Sequence, residues 1–255
     1  MRPMVEPVYT PVVVAAQGAF KVLGLKLEVT GGQHVPRTGG AVLASNHVSY
    51  LDFIFAGLGA HPSGRYVRFM AKDSIWKNPV AGPLMRGMKH IPVDRDAGAE
   101  SFRVALDALR AGEVVGIFPE ATISRSFELK EFKSGAPRLA QDAGVPLVPT
   151  VVWGTQRMMT KGRPRDFSRG KAVSVSVGTP IDVPAGADLD AVGAALHHQM
   201  AQMLDDAIAR YPQAPSGPDD TWWRPARLGG TAPTLAEATR MDRLEAVDRA
   251  KRKNA

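Results

Sequence analysis

The chain has 255 residues, a net charge of +7 and no cysteine, which excludes disulfides, cysteine-bound zinc and a thiolate nucleophile. Hydrophobic residues make up 44% and charged residues 22%, a globular balance that can build a sizeable core. The basic excess suits polyanions or an anionic membrane surface, but with 7% aromatics and no zinc-finger or RNA-recognition pattern, no nucleic-acid partner is expected.

Met1 to Thr10 holds one arginine, one glutamate and two prolines and does not read as a signal peptide. Residues 11–27 are apolar but interrupted by Gln17, Lys21 and Lys26, too broken for a spanning helix of roughly 20 apolar residues. Val12, Val13, Ala16, Ala19, Phe20, Leu23 and Leu27 recur at helical spacing. Two readings fit: an interfacial helix lying on a bilayer, or a helix packed on its own domain. Strands are then predicted at 41–44, 66–70, 90–93, 114–118, 145–153 and 172–177, and helices at 49–58, 99–111, 135–143 and 189–211. Between them, 72–88 reads as short helices broken by Pro79 and Pro83, exposing Ile75, Trp76, Leu84 and Met85.

This alternation argues an α/β fold with a mixed, largely parallel central sheet flanked by helices. The predicted organisation is an N-terminal apolar, membrane-docking helix at 1–27, a main domain at 28–212, and a tail at 213–255. The tail joins a Pro/Gly-rich linker, the pair Trp222-Trp223 and a charged helix over 235–253. The tryptophans fit either a membrane contact or a buried clamp.

The most informative segment is Asn46-His47-Val48-Ser49-Tyr50-Leu51-Asp52. On one continuous helix, His47 and Asp52 would point about 140° apart. They meet only if His47 precedes the helix, as it does when Ser49 is the N-cap. Asp52 then orients the imidazole as a general base. The same residues also fit a plain capping box with an ordinary loop histidine. A Ser49 nucleophile lacks the Gly-x-Ser-x-Gly elbow, and His47 with Asp52 supplies too few ligands for a metal.

Three segments follow in order. His90-Ile91-Pro92-Val93-Asp94-Arg95 is a strand ending in an arginine suited to phosphate. Phe118-Pro119-Glu120-Ala121-Thr122-Ile123-Ser124-Arg125 ends a strand in a carboxylate, hydroxyls and an arginine. Val145-Pro146-Leu147-Val148-Pro149 is a proline-flanked apolar strand. Each alone has a structural explanation, as strand-end or capping residues.

Together the four segments resemble the motifs of the glycerolipid acyltransferase family, specifically its 1-acylglycerol-3-phosphate acyltransferases. The family's Asn-His-x4-Asp is matched by Asn46, His47 and Asp52, its strand-end arginine by Arg95, and its Phe-Pro-Glu-Gly-Thr-Arg-Ser by Phe118, Pro119, Glu120, Thr122 and Ser124. Its Val-Pro-x-Val-Pro run is matched at 145–149, with Ala71-Lys72 and Phe132-Lys133-x-Gly135 as further matches. The resemblance spans roughly Leu27 to Ile181. Ala121 and Ile123 replace a glycine and an arginine of the third motif, with Arg125 two residues on, and Lys89 stands where the second motif has glycine.

The resemblance implies the glycerol-3-phosphate acyltransferase-like fold and transfer of a fatty acyl group from acyl-CoA or acyl carrier protein to lysophosphatidic acid, without a metal or redox cofactor. His47, oriented by Asp52, is the expected catalytic base. Lys72, Arg95, Arg125 and Lys133 are expected on the acceptor's phosphate, and Glu120 and Thr122 on its glycerol. Backbone amides at the start of the Ser49 helix are candidate oxyanion donors. The expected partners are acyl-CoA, a lysophospholipid and an anionic membrane surface, with peripheral or monotopic attachment at the cytoplasmic face of the cell membrane. Open alternatives are glycerol-3-phosphate, another lysolipid or a lipid-linked sugar as acceptor, a non-catalytic lipid-binding protein, and a lysophospholipase using Ser49.

Overall fold

In a computed structural model of the chain, residues 6–94 and 98–254 are described. Seven strands form one sheet in the order β1-β7-β6-β2-β5-β3-β4. They are β1 (Lys26–Thr30), β2 (Ala41–Ser45), β3 (Val67–Lys72), β4 (Ile91–Val93), β5 (Val114–Ile117), β6 (Leu147–Trp153) and β7 (Ala172–Val177). Every pairing between these seven strands is parallel except β6 with β7. The expected mixed, largely parallel sheet is therefore present. β1 was not anticipated: its alternation of exposed Lys26, Glu28 and Thr30 with half-buried Leu27 and Val29 overlaps the helical spacing read over 11–27.

The central strands β2 and β6 are buried at every position, as strands covered on both faces require. Along β2, Val42 and Ala44 face one layer and Ala41 and Leu43 the other, the period of two that a strand imposes. The first layer packs against α4 (Gly98–Arg110), α5 (Gly135–Ala143) and α6 (Leu189–Ala209) through Ala105, Leu109, Leu139, Leu196 and Met200. The second packs against α2 (Asp52–Gly59) and α1 (Tyr9–Val22) through Phe55, Ala56 and Phe20. Gly144, at φ +63, ends α5 in the left-handed conformation that glycine adopts without a Cβ penalty.

α1 packs on its own domain along one face. Tyr9 stacks on Tyr66 at 4.2 Å and donates to the Val67 carbonyl at 2.9 Å, and Phe20 stacks on Phe55 at 4.8 Å. Val14 and Val22 stay exposed on the same helix. No helix among the described residues is long and apolar enough to cross a membrane.

The stretch between β3 and β4 forms a 3-10 turn over Asp73–Lys77 and α3 (Ala81–Gly87). Pro83 falls in the first turn of α3, where the missing N–H has no helical partner to lose. Ile75 and Leu84 are exposed as expected, joined by Val80. Trp76 and Met85 depart from the expectation: Trp76 is half-buried, and Met85 is buried because it lies on the face of α3 turned to the domain. The tail folds back on the domain. Trp223 is buried beside Tyr211 at 5.6 Å, under the Arg157 guanidinium at 4.6 Å, and Trp222 meets the Phe127 ring edge-on at 6.3 Å. The clamp reading of the pair is the observed one. The charged helix forms as α7 (Leu235–Asn254).

Candidate active site

Because β2 to β6 run parallel, the segments leaving their carboxyl ends share one edge of the sheet, where ligand sites of such sheets gather. His47 follows β2, Glu120 follows β5, Lys72 ends β3, Asp94 follows β4 and Thr155 follows β6.

Asn46 holds the corner in place. Its side-chain amide donates to the Val152 carbonyl at 3.0 Å and accepts from the Val152 N–H at 2.7 Å. It thereby extends the β2–β6 ladder by one side-chain pair, so the chain turns off the sheet at His47. The His47 ring stacks on Phe118 at 4.1 Å, and its Nδ1 lies 3.0 Å from Asp52 Oδ2. The same Oδ2 accepts the N–H groups of Val48 at 2.6 Å and Ser49 at 2.7 Å, and Oδ1 accepts the Thr155 hydroxyl at 2.6 Å. Asp52 is fully buried, whereas the His47 side chain keeps 20% of its surface in solvent. Four donors converge on a carboxylate that offers acceptors only, which fixes Nδ1 as the protonated ring nitrogen and leaves Nε2 basic.

The hydrogen bonds that each reading of the first motif requires are present together. Asp52 accepts from the Ser49 N–H, and Ser49 Oγ accepts from the Leu51 N–H at 3.0 Å, which is a capping box with an imidazole added. The regular helix begins at Asp52, later than expected from the sequence, because the preceding turn is spent on these side-chain bonds. The expected oxyanion donors are consumed by it as well. The amides of Val48 and Ser49 go to Asp52, that of Leu51 to Ser49, and that of Tyr50 to the Met159 carbonyl at 3.1 Å.

Glu120 lies beneath this corner. Its Oε1 accepts the His47 N–H at 2.7 Å and its Oε2 the Lys130 N–H at 3.1 Å. Burial pushes its carboxyl up to about 8, with nearby Asp52 adding to the rise and the two N–H donors opposing it. Ala121 follows with φ +57, and Lys89 has φ +56. These are the two positions where the sequence departs from a family glycine. Both take the left-handed backbone that glycine tolerates best.

A basic cluster borders the corner. Arg125 Nη2 donates to Glu245 at 3.0 Å, Lys130 pairs with Asp242, and Lys161 donates to Thr122 Oγ1 at 2.8 Å. Lys161 also lies 3.3 Å from Glu245. Ile123, at the family's arginine position, is buried. Lys72 is exposed at the end of β3, in register with Val93 of β4. Arg95 lies outside the described residues. Lys133 is exposed, its N–H donates to the Pro119 carbonyl at 3.0 Å beside Glu120, and it lines a cleft of about 290 Å³ with Phe132, Asp190 and His197.

A family model described as Acyltransferase matches residues 26–153. The chain belongs to the acyltransferase family. The 1-acyl-sn-glycerol-3-phosphate acyltransferase of Bacillus subtilis is 33% identical over 129 residues, covering 50% of this chain and 63% of its own length. The alpha form from Mus musculus is 34% identical over 182 residues, covering 69% of this chain and 63% of its own. The chloroplastic enzyme LPAT1 of Arabidopsis thaliana is 32% identical, with 54% and 38% covered. The chain therefore spans under two thirds of the length of these relatives. The fold matches the crystal structure of the 1-acyl-sn-glycerophosphate (LPA) acyltransferase, PlsC, of Thermotoga maritima with a TM-score of 0.68 at 22% identity, over 80% of this chain and 81% of that one.

The family match takes in His47, Asp52 and Glu120 and ends at Trp153. It excludes Thr155, Lys161, Asp242 and Glu245, none of which was singled out from the sequence. Thr155 carries a faint signal, since it directly follows the predicted fifth strand. The others carry none, because their partners are as many as 120 residues away.

Proposed function

We propose that the chain transfers a fatty acyl group from the thioester of acyl-CoA or acyl carrier protein to the free hydroxyl of lysophosphatidic acid, yielding phosphatidic acid for phospholipid synthesis. The observation that carries the reading is the buried Asp52 carboxylate holding His47 by Nδ1 at 3.0 Å. His47 Nε2 removes the acceptor hydroxyl proton as the oxygen attacks the thioester carbonyl. Collapse of the tetrahedral intermediate expels the thiolate, which takes the proton back from the imidazolium. The imidazolium is transient, and Asp52 stabilises it. Thr122, Lys72, Arg95 and Arg125 are the acceptor contacts. Glu120 and Asn46 hold the catalytic corner rather than the reacting atoms. The chemistry calls on no metal or redox group.

Attachment to the cytoplasmic face of the membrane is part of the proposal. It is supported by exposed Val14 and Val22 on α1, by exposed Ile75, Val80 and Leu84, and by the net charge of +7. Co-sedimentation with anionic vesicles that weakens with salt is the expected result.

The deciding assay offers purified protein a panel of lysophospholipids and glycerol-3-phosphate with acyl-CoA or acyl carrier protein, and reads products by mass spectrometry. Phosphatidic acid is expected, with His47→Ala lowering the rate by ~10²–10⁴-fold. A folded His47→Ala protein of unchanged rate refutes the base assignment. Release of free fatty acid that stops on labelling with a serine-directed phosphonate assigns a hydrolase instead.

A further inference from the structure

Helix α7 lies outside the segment matched to the family and meets the site by one narrow face. Ala238, Asp242 and Glu245 recur at i, i+4 and i+7. Ala238 is buried and the two acids half-buried, while Met241, Leu244 and Val247 are 39%, 61% and 51% exposed. A helix seated by its apolar residues has the reverse pattern. The attachment is ionic: Asp242 pairs with Lys130, with Lys161 3.5 Å away, and Glu245 takes Arg125 Nη2 at 3.0 Å and Lys161 at 3.3 Å.

The cations come from two stretches of loop, Arg125 and Lys130 from the one between β5 and α5 and Lys161 from the one between β6 and β7, and their mutual repulsion favours an anion between them. The cluster is built for close approach. Gly162 has φ +71, and a Cβ there would meet Arg125 Nη1 at 3.0 Å. It is also wired to the catalytic corner through the neighbours of its own residues. The Ser124 N–H donates to the His47 carbonyl at 2.7 Å, and the Thr160 hydroxyl to the Val48 carbonyl at 2.7 Å. Burial alone would raise the Glu245 carboxyl, yet Arg125 and Lys161 hold it below the usual range, so it is a standing anion.

We propose that the Arg125–Lys130–Lys161 cluster, with the Thr122 hydroxyl, seats a phosphomonoester, and that Asp242 and Glu245 of α7 occupy it as internal counter-anions which the ligand displaces. The inference rests on the acyl-acceptor reading of the adjoining site. Two carboxylates match the roughly −2 charge of an ionised phosphomonoester. The guanidinium fork of Arg125 and two ammonium groups suit its three oxygens. Partly exposed ion pairs are individually weak and salt-screened, so a ligand can outcompete them. α7 then acts as a cover that opens when an anionic headgroup arrives.

Hydrogen exchange of the amides at 238–248 in the full chain tests this, with sn-glycerol 3-phosphate and inorganic phosphate as probes. Faster exchange on adding either probe is expected, and so is a similar loosening at high salt. The variant Asp242→Asn/Glu245→Gln should show fast exchange without ligand and bind glycerol 3-phosphate about three- to tenfold more tightly. Lys161→Gln should weaken that binding, and Asp248→Asn, an exposed charge on the same helix, should leave it unchanged. Unaltered α7 protection in the wild-type chain with both probes at saturation overturns the proposal without recourse to any variant. Acyl transfer measured in parallel separates the two readings. Transfer with α7 unmoved by ligand defeats this inference alone. Release of α7 by phosphate with no transfer to any lysophospholipid defeats the acyltransfer reading alone.

Discussion

Replacing Asp52 by Asn separates the two jobs that this carboxylate performs. Oδ2 receives His47 Nδ1, Val48 N and Ser49 N, and Oδ1 receives the Thr155 hydroxyl. An asparagine whose carbonyl replaces Oδ2 keeps the three N–H donors, and its NH₂ meets a hydroxyl that can turn to accept. Geometry is retained and only the charge is lost. Hydrogen bonds to a charged group contribute about 1 kcal/mol more than neutral ones, so three bonds lose about 3 kcal/mol in all. Release from burying an ion offsets much of that, and a net destabilisation below about 2 kcal/mol is expected. Catalysis suffers more. At an effective dielectric near 20, a unit charge at hydrogen-bond distance from the developing imidazolium contributes about 4 kcal/mol, which sets a ceiling of ~10³-fold in rate. A fall in kcat of ~10²–10³-fold is expected. Asp52→Ala instead orphans all four donors at about 1–3 kcal/mol each and should destabilise more than Asp52→Asn. Urea unfolding and steady-state acyl transfer on both variants give the comparison. A folded Asp52→Asn protein within threefold of wild-type kcat leaves Asp52 only its capping role.

The Glu120 carboxyl, raised from 4.5 to about 8, holds its proton in the folded chain over a range where the unfolded chain has lost it. Its contribution to stability is thus complete below about pH 4.5 and is lost as pH climbs through about 8, with a slope approaching 1.4 kcal/mol per pH unit in between. Glu120→Gln removes that slope, so the wild-type and variant unfolding free energies should diverge with pH; parallel profiles contradict the assignment. Ala121→Gly and Lys89→Gly restore glycine where φ is +57 and +56. Relief of left-handed strain at about 1–2 kcal/mol, less the entropy glycine adds to the unfolded chain, predicts a gain of about 0.5–1 kcal/mol from each. A loss of thermal stability in both shows that the backbone is not strained there.

Where one physical signal acted alone, the sequence was readable. The buried strands β2 and β6 are largely apolar runs bounded by turns, with only Ser45 and Thr150 polar, and glycines stop α4 and α5 as expected. β1 was hidden because Leu25, Leu27 and Val29 alternate within a run that also satisfies helical spacing; which period wins depends on β7, about 145 residues away, offering a paired edge. The inward side of Met85 is not legible because a helix of seven residues, with Pro83 in its first turn, gives too few turns to show which side faces inward.

The site divides along the same line. His47 and Asp52 were legible because their geometry is local: a strand end, a turn and a carboxylate five residues on. The anion-binding half was not. Reading along the motif, the loss of arginine at Ile123 suggested that Arg125 supplies the charge, but a single compensating residue is not what the fold contains. Ile123 is buried, and Arg125 turns outward to join Lys130 and Lys161 around two acids of α7. A lone arginine in a motif is replaced by three cations from two loops, and mutual repulsion destabilises such a cluster while its cations face only one another. The charged helix that had no role in the sequence acquires one for that reason: the chain carries both halves of the ion pair, and the acids on α7 meet the charges they neutralise.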